Sequence, residues 1–239
     1  LKRINYNELT VGLISNTHSS FGSLLQLVAM SFDIDSQNKE PIMLFRVLQD
    51  YFVAQYAEGK RCVVIIDEAQ NLDLDALEAL RLVSNINADK HQLVQIVLVG
   101  QPELREQLQD PRLFQVAQRV SAEYHLSPLT LMETVRYVMH RLEAAGASKS
   151  RLFDVYAVAA IFCCSRGIPR LINTLCDYSL VYAYAKGEHK IDIETVMEVL
   201  KDKKIAWPGN SEPINEEIER MRGVLQKKAG VDVLDVVHG

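Results

Sequence analysis

The sequence predicts a doubly wound α/β domain followed by a small all-helical one. Three observations predict it: four short β-branched runs fall early in the chain, helix-period stretches separate them, and no further β-like run follows Pro128 until the last residues. Strand alternating with helix implies right-handed βαβ units around a parallel sheet.

The strands are expected at 10–15 (TVGLIS), 62–66 (CVVII), 93–99 (LVQIVLV) and 120–126 (VSAEYHL). The second and third are apolar nearly throughout, as suits strands covered on both faces. Helices are expected at 21–32, 42–57, 74–86 and 102–108, and then at 131–144, 153–164, 169–184 and 193–200. Thr130 with Glu133 reads as a capping box, Gly146 as a helix stop, and Pro169 as a first-turn residue. The domains are therefore an α/β core at 1–127, a helical domain at 128–200, and a linker with a short tail at 201–239. The tail breaks at Trp207-Pro208-Gly209. It then spaces Ile214, Ile218, Met221 and Leu225 as an amphipathic helix too short for a coiled coil.

Composition narrows the function classes. The 239 residues carry 26 Lys and Arg against 31 Asp and Glu, a net charge of −5. A protein that coats nucleic acid needs clustered cations, which this balance does not supply. At 48% hydrophobic and 24% charged residues the chain is an ordinary globular protein. The longest uncharged apolar stretch, 155–164, is about half of the ~20 residues that a membrane helix requires, so no spanning segment is expected. Leu1 and the following Lys-Arg-Ile-Asn carry no signal-peptide run, and the start is either processed or that of a piece. Cys62, Cys163, Cys164 and Cys176 form no C-x-x-C pair and read as reduced interior thiols, which points to the cytoplasm.

The strongest chemical signal is Val63-Val64-Ile65-Ile66-Asp67-Glu68. A buried strand ending in two adjacent carboxylates places them at the C-terminal edge of the sheet, where open α/β folds bind ligands. Two like charges side by side call for a cation or a task. In nucleotide hydrolases the first acid holds Mg²⁺ and the second activates the attacking water. The plain alternative is that both acids merely begin a loop.

Four segments carry a family resemblance: VVIIDEAQNLDLDALEALRLVSN, QIVLVGQPELREQL, AQRVSAEYHLSPL and GIPRLINTLCD. In order and spacing, from about residue 10 to about residue 200, they resemble the bacterial AAA+ ATPases of the general secretion pathway A (ExeA/GspA) type. The resemblance implies a P-loop NTPase fold with a helical lid, ATP and Mg²⁺ as cofactors, and ATP hydrolysis. It implies that Asp67 holds Mg²⁺ and that Glu68 activates water. Gln101, after the third strand, matches a sensor of the γ-phosphate, or else caps the helix opened by Pro102. Arg119 matches an arginine finger offered to a neighbouring subunit, with Arg112 and Arg105 as competitors. Arg170, after Gly167-Ile168-Pro169, matches the lid's second sensor; a cation at a helix N-terminus is unfavourable on dipole grounds, which makes a phosphate partner attractive. Asn16 stands where a switch residue would restrain Glu68, or is a turn residue.

One motif departs from the family. A phosphate-binding loop needs G-x-x-x-x-G-K-[ST], and none of the 11 glycines begins one. The only Gly-Lys pair, Gly59-Lys60, is followed by Arg61 and has Ala54 five residues before Gly59. In the family that loop and its strand precede the strand at 10–15, so the expected core is N-terminally incomplete. Its strand would lie between the third and fourth strands here, and removing it splits the ladder. Ordinary domain sizes then suggest roughly 50 to 90 further N-terminal residues and little ATP binding without them.

Partners implied by the resemblance are other copies of the chain and envelope secretion, pilus or exosortase-associated assembly proteins, with the intact protein at the inner face of the inner membrane. A transposition ATPase of the TniB or MuB kind and a non-enzymatic scaffold without a P-loop are the alternatives. The six histidines form no H-x-x-x-H pair. Tyr178, Tyr182 and Tyr184 read as packing or partner surface, and the Lys201–Lys204 cluster as a solvated face.

Overall fold

The computed structural model describes residues 5, 7–15, 23–88, 91–147, 152–202, 216–230 and 232–234. The chain divides into two compact units between Tyr124 and His125.

In the first unit the order is β1 (Leu9–Ile14), α1 (Leu24–Ser31), α2 (Pro41–Ala57), β2 (Arg61–Ile66), α3 (Leu74–Ser84), β3 (Asn87–Ala88), β4 (His91–Gln92), β5 (Val94–Leu98), α4 (Glu103–Gln107) and α5 (Phe114–Ala117). Strands β1, β2 and β5 form a parallel sheet in that spatial order, with Gly12 beside Val64 and Val64 beside Ile96. β3 and β4 make a small antiparallel hairpin that the sequence pattern did not announce. Local chemistry sets the helix starts. Ser23 and Gln26 form a capping box before α1, Pro41 opens α2, and the Asp73 carboxylate accepts the Ala76 N–H at 2.8 Å before α3.

Side chains alternate across the strands, so the register sorts them into two faces. One face carries Gly12, Ile14, Cys62, Val64, Ile66 and Val94, all buried, and α1, α2 and α3 pack against β1, β2 and β5 respectively. The other carries Val11, Val63 and Ile65, half-buried, with Leu13 and Val97 exposed. The expectation of strands covered on both faces is therefore met on one face only among the described residues.

The expected fourth strand at 120–126 is not formed. Residues 120–130 carry no regular secondary structure, and Val120, Tyr124 and Leu126 are exposed. A strand exists through ladder hydrogen bonds to a neighbour, and no described strand lies beyond β5 to supply them.

The second unit contains α6 (Leu131–Ala144), α7 (Val155–Ser165), α8 (Pro169–Lys186), α9 (Ile193–Asp202) and α10 (Glu216–Ala229). α7 is apolar all round and lies at the centre, with every residue from Ala157 to Ser165 buried and α6, α8, α9 and α10 packed on it. The Thr130–Glu133 capping box forms at the start of α6, and the Asp154 carboxylate caps α7 at the Ala157 N–H. The C-terminal segment departs from its reading as linker and tail. Ile218, Leu225, Val233 and Leu234 are buried in the same core as α7, and Glu217 accepts the Leu131 N–H at 3.3 Å. No described helix is long and apolar enough to cross a membrane. All four cysteines are free, three of them buried.

Candidate functional site

β2 and β5 end level with each other, and the loops that leave them bring the site residues together. At the end of β2, the Asp67 N–H donates to the Ile14 carbonyl at 2.8 Å, which carries the ladder one residue past the strand. The chain then turns sharply. Glu68 is left-handed, at φ 52° and ψ 37°, a conformation that a β-carbon disfavours. Two bonds hold the turn: the Glu68 N–H donates to Asp67 Oδ1 at 3.0 Å, and the Ala69 N–H donates to the Val99 carbonyl at 2.9 Å.

This backbone turn aims Glu68 at the neighbouring strand end. Gln101 Nε2 donates to Glu68 Oε2 at 3.4 Å, a long contact across 33 residues of sequence. Gln70 Nε2 donates to the same oxygen at 2.7 Å. Asp67, Glu68 and Gln101 are all exposed, open to a ligand at the C-terminal edge of the sheet. The structure thus brings together three of the residues read from sequence. Gln70 joins them as a fourth, marked in the sequence only by its place two residues after the acid pair.

The three arginines near the end of the first unit differ in what holds them. Arg112 makes a two-point contact with Asp110, Nε to Oδ1 at 3.1 Å and Nη2 to Oδ2 at 2.7 Å, and these bonds hold the Asp110 carboxyl down to about 2. Arg105 pairs with Glu123 at 3.0 Å. Arg119 is exposed and makes no ion pair with another described residue. Arg170 lies in the second unit, exposed in the first turn of α8. Its approach is shaped by Gly167, left-handed at φ +76°, whose carbonyl accepts the Leu129 N–H at 2.9 Å. Asn16 lies outside the described residues.

Oxygen chemistry at the acid pair suits Mg²⁺, which takes one or two carboxylates and completes its shell with phosphate and water. Asp67 has the exposed carboxylate for that part. Among the described residues no group of three or more His, Cys, Asp or Glu could cage a metal alone, so an ion here needs oxygens from a ligand. The fit to a nucleotide is partial: the acid and amide side of a triphosphate site is present, and a glycine-rich phosphate cradle is not among the residues of this chain.

Comparison with known proteins bears on this arrangement. A family model described as an AAA domain matches residues 5–108. General secretion pathway protein A of Aeromonas hydrophila is 40% identical over 185 residues, covering 77% of this chain and 34% of that protein. The chain carries an AAA domain of the general secretion pathway A type. It spans about a third of the length of that relative. Among solved structures, Cdc6p from Pyrobaculum aerophilum superposes with a TM-score of 0.57 at 14% identity, over 96% of this chain and 71% of that one. The ADP form of the Aeropyrum pernix ORC2 protein gives 0.53 at 14% identity, over 92% and 64%. At such identities these two support the fold, an α/β parallel-sheet core followed by a helical part, and nothing finer. The AAA match ends at the α4 boundary and so spans the Asp67, Glu68 and Gln101 cluster.

Proposed function

We propose that the chain is the core of an ATP-hydrolysing AAA+ motor or switch, acting in the cytoplasm at a bacterial envelope secretion or pilus assembly system. The observation that carries this reading is the meeting of Glu68 and Gln101 at the ends of adjacent parallel strands, with Asp67 beside them. In this reading Asp67 supplies the carboxylate for Mg²⁺, which would neutralise developing phosphate charge. Glu68 accepts a proton from the attacking water, and Gln101 donates its amide to the γ-phosphate. Arg119 reaches the site of an adjacent copy, a role supported by the engagement of Arg105 and Arg112 within their own chain.

The phosphate cradle would come from a segment of the whole protein that adds a strand beside β5. That segment would pair the unformed run at 120–124 and cover the sheet face bearing Leu13, Ile65 and Val97. An open edge and a half-covered apolar face are what a sheet leaves when such a strand and its helix are elsewhere.

The test uses the whole protein. Wild type hydrolyses ATP, Glu68→Gln binds ATP but does not turn it over, and Arg119→Ala loses roughly 10³-fold or more in kcat. Mixing the two inactive variants restores part of the activity, because a Glu68→Gln subunit lends Arg119 to a neighbour with intact Glu68. Full turnover by Glu68→Gln would remove the reading, and no restoration on mixing would remove the trans role of Arg119.

A further inference from the structure

The Gln70 side chain links the two strand ends at the site. Its Nε2 donates to Glu68 Oε2 at 2.7 Å, and its Oε1 accepts the backbone N–H of Gln101 at 3.1 Å. Both polar ends of one planar amide are therefore used, one on the end of β2 and the other on the end of β5. The residue is itself held. Gln107 Nε2 donates to the Gln70 carbonyl at 2.9 Å, and Gly100 approaches so closely that a β-carbon there would lie 2.8 Å from Gln70 Oε1 and 3.2 Å from Gln70 N. Gln70 is half-buried, whereas Glu68 and Gln101 are exposed, so the amide is the inner and more restrained member of the trio.

We propose that Gln70 is a positioning residue, fixing the Glu68 carboxylate relative to Gln101 so that the base and the γ-phosphate contact move as one unit. This rests on the reading of Glu68 as the group that accepts a proton from water. Few residues could replace it. One donor and one acceptor at this reach are what glutamine offers; asparagine is a methylene shorter, and glutamate sets a second carboxylate against Glu68. The shorter Gln70 bond makes it the firmer restraint on Glu68, since Gln101 reaches the same oxygen only at 3.4 Å. Because Gln70 grips the backbone of Gln101, truncating the Gln101 side chain would leave this tie intact.

The experiment measures kcat, KM and the kcat pH profile for ATP hydrolysis by the whole protein, in wild type, Gln70→Ala, Gln70→Glu, Gly100→Ala, the Gly100→Ala/Gln70→Ala double variant and Glu68→Gln. Gln70→Ala lowers kcat about 10- to 100-fold through misplacement of the base, with KM kept within about twofold. Gln70→Glu lowers kcat and moves the acid limb of the profile to higher pH, because two adjacent carboxylates share a proton. Gly100→Ala mimics Gln70→Ala, since the new methyl displaces the Gln70 amide, and adds little in the double variant. A merely structural role would lower the melting temperature without a selective loss of kcat at unchanged KM. Gln70→Ala with kcat within about twofold of wild type, a loss lying wholly in KM, or additive effects of the two variants would overturn the positioning role. If wild type fails to turn over ATP, or Glu68→Gln turns it over fully, the reading of the site fails and takes this role with it. If Glu68→Gln is inactive and Gln70→Ala is not, the positioning role alone falls.

Discussion

Replacing Gly167 by alanine should destabilise the helical unit by about 2–4 kcal/mol, against about 1 kcal/mol for the same change at Gly187. Both glycines are left-handed, at φ +76° and +73°. Alanine there costs about 1–2 kcal/mol, of which its narrower unfolded ensemble returns about 0.4–1 kcal/mol. At Gly187 nothing lies within 4 Å of the new methyl, so the account ends there. At Gly167 the methyl would overlap the carbonyl oxygen of Leu129 and lie 2.9 Å from the Leu129 nitrogen. Those are backbone atoms and cannot swing aside. Moving Leu129 away also breaks its 2.9 Å hydrogen bond to the Gly167 carbonyl. That bond is worth about 0.5–1.5 kcal/mol, and the backbone distortion adds about 1 kcal/mol more. Urea titrations of the two variants, followed by far-UV circular dichroism and fitted transition by transition, separate the steric cost from the conformational one. Equal destabilisation by the two changes would contradict the overlap with the Leu129 backbone.

Other expectations follow from burial and charge. Leu225→Ala should cost about 2–5 kcal/mol, as in other cores, because Leu225 is fully buried on α10; a loss under about 0.5 kcal/mol in a urea titration would show α10 to be a loose tail. Burial pushes the Cys163 thiol up to about 12 and the Cys62 thiol up to about 11. Both stay protonated in the folded chain as pH rises past the ordinary thiol range, so stability falls there, where the unfolded chain has already released those protons. Native protein should resist iodoacetamide at pH about 8 and label fully only in denaturant; rapid stoichiometric labelling of the native chain would contradict this. The Asp110 carboxyl, held to about 2 by Arg112, should titrate there by carbon NMR and return to the ordinary aspartate range in Arg112→Ala. Its contribution to stability is present above the ordinary range and is lost as pH falls through about 2. An unshifted midpoint in wild type would show the pair to be broken in solution.

The strands and helices with strong periodicity were legible because burial imposes it. CVVII and LVQIVLV became β2 and β5, and Thr130 with Glu133 marked the start of α6 to the residue. The run at 120–126 shows the limit of that logic: its residues suit a strand, but a strand also needs a neighbour, and a sequence window does not contain one. The segment at 201–239 shows the converse limit. Ile218, Met221 and Leu225 showed the stripe, but not that α7, apolar on every side, needed a partner at that position. Asp67, Glu68 and Gln101 were legible as strand-end polar groups after apolar runs. Gln70 was legible only by its place after the acid pair, because a single short helical turn at Ala69–Asn71 carries no periodicity, and its importance comes from the left-handed turn at Glu68 and the close approach of Gly100.

The most direct test is a crystal structure of the whole protein with Mg²⁺ and a non-hydrolysable ATP analogue. The terminal phosphate should lie beside the Gln101 amide, with the metal on the Asp67 side and a water held by Glu68. A nucleotide seated away from the ends of β2 and β5, with Glu68 turned from the phosphate chain, would contradict it.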